Sequence, residues 1–239
     1  MINDHCSMIN GKWSIVLFSS IWVITLLAGL VGPPAFGQDV PEIIRAVDEQ
    51  QAKIQTLSGA FWQRRDTPLA KDPLLSRGVV KFKRPDRIHF LYAKPEQMEM
   101  ALEGKTLWIY YPGRSQAEKY SFANSRRVTP YLEPITGIFQ KTFSHLAEAY
   151  SLTYQGEESG RLYRFRLHPK EEKVQKFLSR VDLWIDKASG AILRFEMIDT
   201  GKGRLFLEFQ DLQINPPLKD EDLTIRIPPS VRVREQTSP

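Results

Sequence analysis

Cysteine is almost absent from the 239-residue chain: the one thiol is Cys6, near the N-terminus. It precedes a long apolar run, so it is not the lipid-bearing cysteine that follows a lipoprotein signal. Disulfides and cysteine-rich metal sites are excluded from everything downstream. Histidine is scarce too, four in all, of which His5 precedes the apolar run. His89, His145 and His168 lie far apart, and no two stand at the short spacing of a helical or hairpin metal pair, so no metal is expected. Ser144 and His145 are neighbours, but no Gly-x-Ser-x-Gly elbow accompanies them. His145 therefore reads as a helix-surface residue. Charge of one sign is missing too: 33 Lys and Arg stand against 28 Asp and Glu, a net +5. The cations are interleaved with acids, as in Lys81, Lys83, Arg84, Asp86 and Arg87, which argues for a solvated mixed surface rather than nucleic-acid binding. No internal repeat and no low-complexity tract occurs.

What is present begins with an export pattern. Residues up to Lys12 are polar, Trp13 to Val31 carry no charge, and Gly32-Pro33-Pro34 ends the run. Ala35-Phe36-Gly37 then offers small residues of the kind a signal peptidase reads. The pattern predicts a signal peptide over 1–37, a mature start at Gln38, and one exported domain over 38–239. An uncleaved anchor is the alternative, because the run matches a minimal membrane span. Removing 1–37 takes away Lys12 and Asp4 and leaves the net charge unchanged.

Asp39, Pro41 and Glu42 form a helix start, and Ile43, Ile44, Val47, Ile54 and Leu57 follow mostly on one face. From Ser58 the period becomes two. Short strands are predicted at 79–82, 87–92, 98–102, 106–111, 152–154, 162–167, 181–186, 192–199, 204–214 and 224–227, punctuated by Pro and Gly turns. Gly201-Lys202-Gly203 reads as a hairpin turn rather than a phosphate loop. Between Ser121 and Tyr150 the pattern breaks into a Pro-interrupted stretch with apolar residues at helical spacing. The expected architecture is mainly β with some α: a curved antiparallel sheet of about 10–11 strands, with helices over an apolar face. Glu96, Glu99, Glu103, Glu157 and Glu158 read as solvated charges. No catalytic residue emerges.

The stretch from Gly78 through Arg84-Pro85 to Phe90, then Glu103 through Lys105-Thr106-Leu107-Trp108 to Pro112, resembles the LolA family, the periplasmic carriers of outer-membrane lipoproteins. Phe61-Trp62-Gln63 looks like that family's first strand, and Thr224 to Val233, with Pro228-Pro229, like its last strand and tail. The resemblance implies a half-open antiparallel β-barrel lidded by helices and holding acyl chains in an apolar cavity. It implies no enzyme activity and no cofactor. Its partners would be acylated lipoprotein or lipid cargo, an inner-membrane lipoprotein-release complex as donor and an outer-membrane acceptor, with the protein itself a periplasmic monomer. Carriage or sensing of another lipid, a phospholipid or glycolipid, is the alternative.

Arg84 matches the family arginine that latches the lid. Ile88 and Phe90 match cavity positions, and strand alternation adds Tyr92. Phe61, Met98 and Met100 complete this wall, with Trp108 and Tyr110 chosen over Leu107 and Ile109 for the next strand. Glu99 and Ala101 depart from the family's aliphatic residues and leave the inward register of 98–102 open. The lid is assigned to Val47, Ile54, Ile135, Ile138, Phe139, Phe143 and Leu146.

Overall fold

The computed structural model describes residues 39–121 and 142–237. Twelve strands form one sheet in the order β12-β6-β5-β4-β3-β2-β1-β11-β10-β9-β8-β7. The first six are β1 (Thr56–Asp66), β2 (Leu74–Lys83), β3 (Arg87–Lys94), β4 (Met98–Glu103), β5 (Thr106–Tyr111) and β6 (Gln116–Ser121). They continue as β7 (Tyr150–Glu158), β8 (Leu162–Pro169), β9 (Leu178–Asp186), β10 (Ile192–Asp199), β11 (Arg204–Ile214) and β12 (Arg232–Thr237). Neighbours are antiparallel except β12, which runs parallel to β6. The edge strands β12 and β7 do not pair, so the sheet is open.

Two of these strands depart from the sequence expectation. β6 escapes a period-two reading because Gln116, Glu118 and Lys119 are poor strand formers. The final strand is Arg232–Thr237, whereas Thr224–Ile227 is not a strand. Its apolar residues are used differently: Leu223 is fully buried and Ile225 is 9% exposed. The segment 215–231 crosses the outer face of the sheet, where Lys81 Nζ and Lys83 Nζ donate to the carbonyls of Asp222 and Leu218 at 3.3 and 3.0 Å. Lys83 also pairs with Asp220 at 2.7 Å.

Three helices are described: α1 (Val40–Gln51), α2 (Phe143–Ala149) and the single turn α3 (Glu172–Gln175). Asp39 holds the N-cap position of α1 but makes no side-chain capping bond. Ile43 and Val47 are buried on its inner stripe. The helix ends at Gln51, so Ile54 lies in the connection and Leu57 in β1 rather than on a longer helix. α2 begins where the Asp48 carboxylate of α1 accepts the Ser144 N–H at 3.0 Å, satisfying one of the donors that every helix start leaves free. Phe143 and Leu146 then bury, Phe143 edge-on to Phe165 of β8 at 4.7 Å. Ile135, Ile138 and Phe139 lie outside the described residues. No helix among the described residues is long and apolar enough to cross a membrane.

Side-chain alternation divides the sheet into two faces. Inward residues of successive strands, such as Phe61, Val80, Phe90, Leu102, Leu107, Leu183, Phe195 and Leu207, join α1 and α2 in the main core. A second, smaller core lies outside, where Ala101, Tyr110, Ala117 and Ile225 meet with Trp108, Ile227 and Val231.

Candidate functional site

At the end of the curved sheet formed by the β3–β4 and β10–β11 turns, the described residues leave the inward face unfilled. A cleft of about 650 Å³ opens there, within the range of small-ligand pockets. One wall is Phe90 and Tyr92 of β3, Met98 and Met100 of β4, and Ile109 and Tyr111 of β5; the other is Met197 of β10 with Leu205 and Leu207 of β11. Register explains the first wall. Tyr92 pairs with Met98 and Phe90 with Met100, and Met100 pairs in turn with Ile109, so these side chains stand in one row across three strands. Met98, Met100 and Met197 are the only methionines of the chain beyond residue 8. All three line this cleft, and thioether chains make a wall that adapts to ligand shape.

Of the residues singled out in the sequence, Phe90, Tyr92, Met98 and Met100 line the cleft. Phe61 and Ile88 do not line it; both are buried in the main core beneath it. Phe61 meets Phe90 and Tyr92 edge-on at 5.2 and 4.9 Å, fixing both rings from below. Trp108 and Tyr110 are a correction. They point to the outer face, into the small core under residues 225–231, and Ile109 takes the inward place. The open register of β4 is decided the same way. Met98, Met100 and Leu102 point inward; Ala101 is fully buried on the outer side. Glu99, also outward, bonds His89 Nε2 at 3.0 Å. A carboxylate among family aliphatics is therefore matched by a buried histidine rather than by lipid. Three of the other acids are paired as well: Glu96 with Arg114 at 2.7 Å, Glu158 with Arg194 at 2.6 Å, and Glu157 with Lys187. His145 pairs with Glu148 on the surface of α2.

Polar and charged side chains line the cleft as well, among them Gln63, Arg65, Asp66, Glu96, Asp199 and Arg204. Tyr92 OH donates to Gln63 Oε1 at 3.0 Å. Burial pushes the Tyr92 phenol well above its ordinary pKa, with the Arg65 charge pulling the other way, so it stays a neutral donor at physiological pH. Sequence reading passed over Ile109, Tyr111, Met197, Leu205 and Leu207. The alternation of Phe195/Met197 and Leu205/Leu207 was visible, but only pairing across β10 and β11 brings those columns to the cleft.

Arg84 is placed at the opposite end. Its Nε donates to Ile54 O at 2.6 Å and its Nη2 to Gln51 O at 3.0 Å. α1 has no basic residue in its last turn, so Arg84 brings the cation and the donors that the helix C-terminus lacks. Gln51 Nε2 also donates to Gly190 O, in the β9–β10 turn, at 3.1 Å. The helix end is thereby tied to two hairpins that are separated in the sheet by β1 and β11. We expect Arg84→Leu to fold but to lose about 2 kcal/mol locally, the size of two charge-assisted bonds less their hydration. That should appear as roughly thirtyfold faster hydrogen exchange of the α1 amides with little change in β9 and β10. Unchanged protection of α1 would remove the latch assignment.

Fold and cleft together define an open half-barrel protein with an apolar recess, a scaffold for holding a ligand. The sequence model described as "Outer membrane lipoprotein carrier protein LolA" matches residues 52–225, and the chain belongs to the LolA family. Curated relatives include the outer-membrane lipoprotein carrier protein of Pseudomonas paraeruginosa, 24% identical over 184 residues, covering 77% of this chain and 83% of that one. The protein of the same name from Albidiferax ferrireducens is 24% identical over 217 residues, covering 89% and 96%. Among solved structures, an uncharacterized conserved protein from Thermus thermophilus superposes with a TM-score of 0.53 at 17% identity. It covers 83% of this chain and 100% of that one. That likeness concerns the fold alone.

Proposed function

We propose that the protein is a periplasmic carrier without enzymatic activity, which shelters acyl chains of lipoproteins in the β3–β4–β5/β10–β11 cleft while they cross from the inner to the outer membrane. The observation that carries this reading is the apolar row Phe90, Tyr92, Met98, Met100 and Ile109, which the described residues leave lining a cleft at the end of a LolA-family sheet. The physical requirement is plain. A chain of about sixteen carbons left in water is unfavourable by on the order of 10 kcal/mol, at about 0.8 kcal/mol per methylene. A carrier must hide most of that area and still release it. A preformed cleft with adaptable methionine walls hides it, and an α1 held by a few bonds from Arg84 is weak enough to yield when cargo enters or leaves.

Cleavage after residue 37 releases the mature chain into the periplasm in this reading. A donor complex at the inner membrane loads it and an acceptor at the outer membrane unloads it. The test is direct. Protein recovered from the periplasm should bind an apolar fluorescent probe saturably, and triacylated lipopeptide should displace the probe while the same peptide without acyl chains should not. Displacement by the unacylated peptide, or no saturable probe binding by folded protein, would overturn the carrier function.

A further inference from the structure

The inward column of β1 changes character from floor to mouth. Phe61 is buried core, Gln63 lines the cleft beside the Tyr92 hydroxyl, and Arg65 stands at the opening. Other charged residues lining the cleft are already engaged. Asp66 receives Arg64 through bonds of 2.9 to 3.1 Å. Glu96 is held by Arg114 through bonds of 2.7 and 2.8 Å. Arg204 is paired with Glu196, and Asp199 accepts the Gly203 N–H at 2.7 Å inside its own turn.

Of these charged side chains, that of Arg65 alone has no ion pair or hydrogen bond among the described residues, and it is exposed on the inward face. It is close enough to Tyr92 for its charge to act on the phenol. A guanidinium fork left free at the lip of an apolar recess is matched by one kind of ligand end, an oxyanion attached to an apolar tail. A neutral head would leave it hydrated and contribute nothing.

We propose that the cleft takes acyl cargo whose polar end carries an oxyanion, a phosphate or a carboxylate, with Arg65 as its counter-ion. The tail then lies along Tyr92, Met98, Met100 and Ile109. This rests on the carrier reading and narrows its cargo: the ester and amide anchor of a lipoprotein is itself neutral, so the oxyanion is supplied by an acidic group of the attached peptide or by the phosphate of a phospholipid held in the same cleft. The head remains at the mouth beside Arg65 and the Gln63–Tyr92 pair, which keeps it in water.

The experiment compares three probes of equal chain length on the full exported protein, below their micellar concentrations: a monoacylglycerol, its phosphate ester and the free fatty acid. Titration calorimetry at low salt should give the two anionic probes an advantage of about tenfold over the neutral one. In Arg65→Gln that ratio should fall to about one, and in Arg65→Lys it should stay at several-fold, since the point charge remains but the fork is lost. Preference for the phosphate ester alone would assign the site to phosphate heads, and preference for the fatty acid alone to carboxylates; either supports the proposal. Inorganic phosphate at the same concentrations should not compete. Equal affinity for all three probes in the unaltered protein overturns the proposal and leaves the carrier reading standing. So does an advantage that survives Arg65→Gln, or saturation by inorganic phosphate alone. Absence of binding by all three overturns both.

Discussion

Ile109→Glu is expected to reduce the affinity for an acyl probe at least about tenfold, while Trp108→Ala, one residue away, leaves probe affinity as it is. Ile109 faces the cleft between Met100 and Tyr111. A carboxylate there must either be buried without a partner or hold water where the acyl chain should lie, and each outcome opposes apolar binding. Trp108 belongs to the outer core with Ala101 and Ile225. Its loss should instead lower thermal stability, by the few kcal/mol typical of removing a large half-buried aromatic. Probe titrations and melting curves on both variants check this. A loss of binding in Trp108→Ala with no loss in Ile109→Glu would reverse the faces of β5.

The largest stability effect is expected at Gly78. A Cβ built there would sit 1.9 Å from the Leu91 carbonyl oxygen and 2.8 Å from the Phe61 ring. Leu91 belongs to the β2–β3 ladder and Phe61 is 2% exposed, so neither has room to give. Gly78→Ala must push β3 away from β2 or tilt Phe61, and Phe61 supports Phe90 and Tyr92 from below. We expect a loss of about 3 kcal/mol or more, at the upper end of overpacking effects. Weakened acyl binding should accompany it in whatever fraction remains folded. Chemical denaturation measures the first and probe titration the second. A variant within about 0.5 kcal/mol of the unaltered protein would show that β2 and β3 separate easily at this point.

Much of the half-barrel was legible in the residues. The β10 and β11 boundaries follow from alternation and from the turns at Asp199–Gly203, and the start of α1 from Asp39, Pro41 and Glu42. These signals are local, so sequence carries them. The family resemblance at Arg84-Pro85 singled out the arginine, but not its acceptors, because Gln51 and Ile54 lie about thirty residues away and offer only backbone carbonyls. β12 was hidden because Arg232, Arg234 and Glu235 look like a polar tail; only its parallel pairing with β6 makes it a strand.

The face of β5 shows where sequence stops. Thr106–Tyr111 is apolar at almost every position, and alternation reports a face only when one side of a strand is wet. Here both sides are covered, the inner by the cleft and core and the outer by residues 225–231 arriving from over a hundred positions later. By itself the sequence determined an export pattern, a curved sheet with helices on its apolar side, and the LolA-family motifs, because propensity, period and turn chemistry act between near neighbours. The tertiary structure alone decided which side of β4 and β5 lines the cleft, that Met197, Leu205 and Leu207 complete it, and that the Arg65 side chain stands at its lip with no partner among the described residues. Those facts depend on which distant strands come to lie opposite one another.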